Sequence, residues 1–193
     1  LNISWWSAME DSSRDKRRFQ HERFILTQLI VMALKGVPAF YLPALLASGN
    51  DIKTFSMTGQ RRDLNREKFN IDKLLLVLNN NYSNASRNIK FLSNAMKVRS
   101  SLEVFHPSSK MISLSKNRSD LIVIRRGEGL NSIWAIHNIT DNKLNYSLND
   151  PEILDSIDDN LLFKDYLTGS KYSNLNITLE PFQVIWIGIL FDD

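Results

Sequence analysis

GVPAFYLPALLASGNDIKTFSMTGQRRDLNR, residues 36–66, is the stretch of sequence that decides the fold. Its apolar start, residues 37–41, is too short for a helix and is rich in residues that favour strands. Such a run predicts a strand buried on both faces, as in the parallel sheets of α/β proteins. A long polar loop with three arginines follows. A buried strand that ends in such a loop is typical of a barrel that builds a site at its strand ends.

The residues on either side of this stretch have helical spacing. Residues 19–34 predict a helix that ends at Gly36, and residues 71–78 and 84–102 predict two more helices. The order helix, strand, helix is a fragment of a βα-repeat. Since a complete eight-unit barrel needs roughly 250 residues, at most the last two units of a barrel are expected here.

From residue 111 onward the hydrophobic period changes to two. Six strands are predicted, at residues 111–115, 121–126, 132–139, 144–148, 175–179 and 183–189. Short strands at this spacing favour an antiparallel sandwich. We therefore predict a first domain over residues 1–105 and a β-domain over residues 106–193. The acidic segment 150–159 is interpreted as a solvated loop.

Composition limits the possible functions. The 193 residues carry a net charge of +3 and are 43% hydrophobic and 23% charged, which is ordinary for a globular protein. The small basic excess does not indicate nucleic acid binding. The absence of cysteine excludes disulfides, a thiolate nucleophile and cysteine-type zinc sites, and favours a cytoplasmic location. No membrane segment is expected, and a first residue of leucine suggests an excerpt of a longer chain.

The loop itself supplies the candidate binding residues. Asn50 and Asp51 offer an amide and a carboxylate, which can bond to sugar hydroxyls. Arg61, Arg62 and Arg66 offer planar guanidinium groups that suit carboxylate, phosphate or vicinal hydroxyls. From these residues alone, ligand binding and internal salt bridges are equally open.

Other aromatic and titratable residues carry weaker signals. Trp5 and Trp6 either stack on a sugar ring or pack within the protein. Trp134 and Trp186 alternate with apolar neighbours, which predicts core positions. The three histidines, His21, His106 and His137, lack metal-ligand spacing and are expected to be structural. Neither a metal nor a cofactor is expected.

Five segments resemble a known family. GVPAFYLPALLASGND and TGQRRDLNREKF, residues 36–51 and 58–69, resemble the eighth strand and its loop in the sucrose-phosphorylase group of the family-13 glycoside hydrolases. LNISWWSAM at residues 1–9 resembles the segment before their seventh barrel helix. DYLTG and LEPFQVIWIGI, residues 165–169 and 179–189, resemble the closing strands of their β-domain. The implied fold is the last part of a (β/α)8 TIM barrel followed by a C-terminal antiparallel β-sandwich.

The resemblance also implies an activity for the parent protein. Enzymes of this group transfer a glucosyl unit from sucrose or a related α-glucoside to inorganic phosphate with retention, releasing α-glucose 1-phosphate. Their catalytic carboxylates lie on earlier strands, so no residue of this chain is predicted to be catalytic and the chain alone should be inactive. By its match to the family's motif, Arg62 would hold hydroxyls of the glucosyl unit. Arg66, Asn50 and Asp51 match motif positions too, where they bind substrate or brace the loop.

Several alternatives stay open at this point. The parent could act on glucosylglycerate or sucrose 6-phosphate, or hydrolyse α-glucosides. A different class is a non-catalytic carbohydrate-binding module formed by the β-domain. Nucleic acid binding through the basic runs at residues 14–23 and 61–66 is disfavoured because exposed aromatics do not alternate with the charges. The oligomeric state is left open.

Overall fold

The computed structural model describes residues 2–10, 17–115, 117–150, 161–174 and 176–191. Within these residues the α-helices are α1 Trp5–Ala8, α2 Gln20–Ala33, α3 Leu42–Leu45, α4 Ile52–Thr58, α5 Ile71–Asn79 and α6 Asn84–Ser101. The strands in the same residues are β1 Met111–Ser113, β2 Leu121–Arg126, β3 Ile133–Asn138, β4 Leu144–Ser147, β5 Leu162–Asp165, β6 Lys171–Tyr172, β7 Asn176–Leu179 and β8 Val184–Leu190. Helices thus precede the strands along the chain.

The chain folds into two compact units. The first consists of Leu1–Ile25 and Ala39–Asn94, and the second of Leu26–Pro38 and Ala95–Asp193. The first unit contains α1, α3, α4 and α5, and the second contains the strands. The predicted boundary between residues 105 and 106 stays a prediction.

The second unit is built on antiparallel sheets. Among the described residues, one sheet has six strands in the order β1-β2-β3-β8-β5-β6, and β4 pairs with β7 in a second sheet. Every pairing is antiparallel. The central strands β3 and β8 are buried on both faces and mostly apolar, as strands covered on both sides are expected to be. The chain is therefore a mostly antiparallel sheet with helices.

The core of this unit includes side chains from both sheets. Trp134 and Ile187, which are register partners on β3 and β8, are fully buried. Ile177 and Leu179 of the two-stranded sheet belong to the same buried cluster. Trp186 is also fully buried and lies 4.7 Å from the ring of Phe105, so the predictions that Trp134 and Trp186 are core residues are confirmed.

Two arginines hold the end of α2 within the second unit. Arg99 donates to the carbonyls of Met32 and Gly36 at 2.9 and 2.8 Å. Arg126 is fully buried and donates to the carbonyls of Ala33 and Leu34. Since a helix leaves its last carbonyls without intrahelical partners, these bonds satisfy groups that burial would otherwise penalise. Burial lowers the pKa of both guanidinium groups.

The prediction of a buried strand at residues 37–41 is wrong. This segment forms no strand, and Val37 and Tyr41 are 81% and 55% exposed. A strand needs a neighbour to which its amides and carbonyls bond, and the described residues place none beside it. Pro38 also removes one donor. α2 ends at Ala33, so Gly36, with φ of 113°, lies three residues beyond the helix and not at the predicted cap position.

The other predicted elements agree closely with the structure. The three helices are confirmed as α2, α5 and α6, and the six strands as β1, β2, β3, β4, β7 and β8. Leu175 and the stretch 151–160 lie outside the described residues. Asp150, predicted to be solvated, is instead 2% exposed and bonded to Arg125, whose buried positive charge it compensates. No helix among the described residues has the length and apolar content to cross a membrane.

Candidate functional site

The polar loop of the first unit is folded into short helices. After α3, the chain forms α4 and then a 3₁₀ helix at Arg61–Asn65. Asp51 caps α4, because its carboxylate accepts from the Thr54 amide at 2.9 Å and also from the Thr54 hydroxyl. Gly59, with φ of 66°, ends α4 in the left-handed region. The predicted irregular loop is therefore an ordered set of capped turns.

Asn50 is fixed by the start of the chain. Its side-chain oxygen accepts from the Ser4 backbone amide at 2.7 Å, and its backbone amide donates to the Ser7 hydroxyl at 3.1 Å. Ser4 also caps α1 through the Ser7 amide. Sequence reasoning missed Ser4 and Ser7; the only signal was the capping preference of serine before a short helix. With this oxygen already used, the Asn50 side chain braces the loop.

Asp51 connects the predicted pair to the arginine segment. Its backbone amide donates to the carbonyl of Leu64 at 2.8 Å. A second link runs from the Thr58 hydroxyl to the Asp63 carboxylate at 2.7 Å. The structure thereby brings Asn50, Asp51 and the Arg61–Asn65 helix together. The Thr54 bonds lower the pKa of the Asp51 carboxyl, so the group stays ionised as a cap.

Arg62 and Arg66, the two arginines that match the family's motif, are exposed. Arg62 donates through Nε to the side-chain oxygen of Gln60 at 3.0 Å. Its two terminal nitrogens make no hydrogen bond to any other residue that the structure describes. Nor does the Arg66 side chain bond to the described part of the chain. A guanidinium group with both terminal nitrogens free is able to donate hydrogen bonds to two neighbouring hydroxyls or to an anion.

Asn50 and Asp51 also line a cleft of about 870 Å³ in the first unit. Lys53, Lys68 and Lys73 stand around the same cleft, whereas Arg62 and Arg66 do not line it. The four predicted residues are therefore neighbours along one loop but do not share one cavity. They stay predictions as substrate-binding residues.

The remaining candidates have structural contacts. Trp6 packs edge-on against Phe24, with ring centroids 5.3 Å apart, and Trp5 is 42% exposed. His137 is buried and its pKa is lowered to about 4 by burial, so it is neutral. In the part of the chain that the structure describes, no three histidine or acidic side chains are grouped to hold a metal.

Comparison with known proteins tests the family resemblance. The chain is 30% identical to a glucosylglycerate phosphorylase from Allomeiothermus silvanus and 27% identical to one from Escherichia coli K12, each over 97% of the chain. The resemblance to the family-13 glycoside hydrolases is confirmed. The chain spans 31% and 32% of these two proteins, about a third of the length of the curated relatives it matches. The region it matches is their C-terminal part.

The family-13 resemblance extends to the fold. A pullulanase from Anoxybacillus sp. LM18-11 superposes with a TM-score of 0.64 over 97% of the chain and 26% of its own length. Its sequence identity of 12% makes this a likeness of fold alone. No protein-family model matches the chain.

Proposed function

We propose that this chain is the C-terminal part of a retaining glycoside phosphorylase that transfers a glucosyl unit from an α-glucoside to phosphate and releases α-glucose 1-phosphate. The supporting observation is the similarity, over 97% of the chain, to two glucosylglycerate phosphorylases. The protein is accordingly a glycosyltransferase whose partners are an α-glucoside and inorganic phosphate.

Glucosylglycerate is the α-glucoside that we favour over sucrose or sucrose 6-phosphate. Both relatives described above carry the name of that activity, and they come from two different bacteria. Phosphorylases and hydrolases of this architecture share the wall that holds the glucosyl unit and differ in acceptor loops. The loop at residues 42–66 therefore supports the donor side of the site, and the relatives support the choice of acceptor.

Arg62 is the residue to which we assign direct contact with the glucosyl unit. Its terminal nitrogens are free while its Nε is held by Gln60, so the guanidinium group is oriented before the sugar arrives. Asn50 and Asp51 hold the loop in place through Ser4 and Thr54. Arg66, which follows the 3₁₀ helix that contains Arg62, is a further exposed arginine. Arg62 is therefore the proposed sugar contact, Arg66 is a second candidate contact, and Asn50 and Asp51 support the loop.

The chemistry itself requires groups outside this chain. Retention needs a carboxylate nucleophile and a second carboxylate as acid and base, about 5 Å apart. We place both on earlier strands of a TIM barrel whose last part is residues 1–105. Residues 106–193 then form a C-terminal β-sandwich domain. The chain by itself is inactive in this account.

The test is an assay of the full-length protein with purified α-glucosides. Glucose 1-phosphate is measured with glucosylglycerate, sucrose and sucrose 6-phosphate, each with and without phosphate, and the anomer is read by NMR. We expect α-glucose 1-phosphate from glucosylglycerate only when phosphate is present. Glucose release that does not depend on phosphate would assign a hydrolase, and no reaction with any of the three would overturn the phosphorylase.

A further inference from the structure

A second cleft of the first unit has the composition of a sugar site. It measures about 390 Å³, within the usual range of small-molecule sites, and lies between α1 and the segment that leads into α3. Trp5 and Tyr41 line it and are 42% and 55% exposed. Ser48 and Asn65 complete its polar edge. The cleft shares Ser48 with the one lined by Asn50 and Asp51, but its other lining residues are different.

The polar groups of this cleft are free to bind. The Ser48 hydroxyl and the Asn65 side-chain amide are half-buried, yet neither bonds to another residue that the structure describes. The same holds, within the described residues, for the Trp5 indole N–H and the Tyr41 hydroxyl. A half-buried polar group is stabilised when a ligand takes the place of water as its hydrogen-bond partner. Both donors and acceptors are available, as hydroxyl groups of a ligand require.

The charge of the lining narrows the class of ligand. Its other members are Ile3, Ser4, Ala8, Met9, Pro43 and Ala44, so none of the ten lining residues is charged. Phosphate, glycerate or another anion would find no cation there. A pyranose ring is neutral, with an apolar C–H face that suits an aromatic ring and a rim of hydroxyls that suits amides. The cleft matches that pattern.

We propose that the Trp5–Tyr41 cleft binds a neutral pyranose ring, as a sugar subsite next to the Arg62 loop. Asn65 ends the 3₁₀ helix that contains Arg62, and residues three apart in such a helix share a face. Asn65 and Arg62 are therefore directed to the same side of the loop. The proposal deepens the proposed function and rests on it for the identity of the sugar, but its test requires no catalysis.

The 193-residue chain is titrated with methyl α-D-glucopyranoside and followed by saturation-transfer NMR. We expect saturable binding that Trp5→Ala and Asn65→Ala each weaken about tenfold or more, whereas Trp5→Phe keeps part of it because a ring remains. Tyr82→Ala removes an aromatic side chain that is 92% exposed and does not line the cleft, and this variant should bind the sugar as the unaltered chain does. Inorganic phosphate should not compete. Circular dichroism checks that each variant is folded.

Two results would overturn the cleft assignment. One is the absence of saturable binding to the folded chain. The other is equal binding by Trp5→Ala, Asn65→Ala and Tyr82→Ala, which would place the sugar elsewhere. The phosphorylase proposal fails separately: a full-length protein that binds the glucoside but releases no glucose 1-phosphate would leave the cleft standing and remove the phosphorylase.

Discussion

The central strands of the sheet and the loop at residues 42–66 are stabilised in opposite ways. All six residues of β3 are buried, and β8 buries six of its seven. In the Arg61–Asn65 helix no residue is buried. The part of the loop from Asp51 to Asn65 is held by polar bonds instead, such as those of Asp51 to Thr54 and of Asp63 to Thr58.

This difference separates stability from function. Burial of apolar side chains stabilises the sheet, so changes there should act on the free energy of unfolding. Exposed side chains on a braced loop contribute little to that free energy and are free to meet a ligand. Changes in the loop should therefore act on binding.

The largest effect on stability is expected from Asp150→Ala. The Asp150 carboxylate accepts from Arg125 Nη1 at 3.0 Å and from Trp134 Nε1 at 2.8 Å, and all three side chains are buried. Removing it leaves the guanidinium group buried without this counter-charge, which costs about 3 to 5 kcal/mol. Urea unfolding followed by circular dichroism measures the loss.

Asp120→Ala is the matched control for that change. It also removes a carboxylate from an arginine, since Arg118 contacts Asp120 at 2.7 Å, but both side chains are partly exposed. Water and salt screen such a pair, so the unfolding midpoint should hardly move. Equal losses from the two variants would contradict the view that burial decides.

A smaller effect is expected from acid acting on His137. This side chain is fully buried on β3, with Nδ1 3.1 Å from the carbonyl of Ile122, and its pKa is lowered from 6.5 to about 4. The unfolded chain therefore takes up the proton first as pH falls. The contribution of neutral His137 to stability is complete above pH 6.5 and is lost between pH 6.5 and about 4, by about 3 kcal/mol in total at 1.36 kcal/mol per unit.

Comparison with His137→Gln isolates this contribution. Burial raises the pKa of the Asp165 carboxyl, so that group favours the folded state as the pH falls and opposes His137. The difference between the two proteins removes Asp165 from the result. The stability of the unaltered chain relative to the variant should decline from pH 6.5 to 4. A difference that is constant across this range would show that His137 does not titrate as described.

The smallest effect on stability is expected from Asp51→Ala. This change removes the cap of α4, whose seven residues include none that are buried. We expect faster hydrogen exchange of the α4 amides and an unchanged global unfolding midpoint, because local opening does not require the sheet to unfold. Thr54→Val is the matched variant, since it removes only the hydroxyl bond and should show a weaker form of the same change. A lower global unfolding midpoint, or hydrogen exchange of the α4 amides that does not change, would contradict a local role.

The sequence predicted the sheet well because its strands carry their own pattern. Alternating apolar residues located β2, β3 and β8 within one or two residues. The pattern did not reveal β5 and β6, which have four and two residues and contain lysines. Pairing with β8 makes β5 a strand, and a partner distant in sequence has no local signal.

The loop shows where sequence reasoning reached its limit. Asn50, Asp51 and Arg62 could be named from their chemistry, but the bonds of Asn50 to Ser4 and Ser7 join residues more than 40 positions apart. Tyr41 and Asn65 could not be recognised from the sequence as lining one cleft, because only the fold brings them together. Residues 37–41 were predicted as a buried strand because their apolar character predicts burial but not the partner that provides it.

The assignment of Arg62 to the glucosyl unit is tested by Arg62→Ala in the full-length protein. Arg61→Ala is the control, since Arg61 is an exposed arginine on the same 3₁₀ helix. We predict that Arg62→Ala lowers the rate of glucosyl transfer to phosphate about a hundredfold, since misplacing the sugar is costly. The unfolding midpoint should stay unchanged, and Arg61→Ala should retain most of the activity. Retained transfer in Arg62→Ala, or a loss of activity that merely follows unfolding, would contradict the assignment of this loop to the sugar.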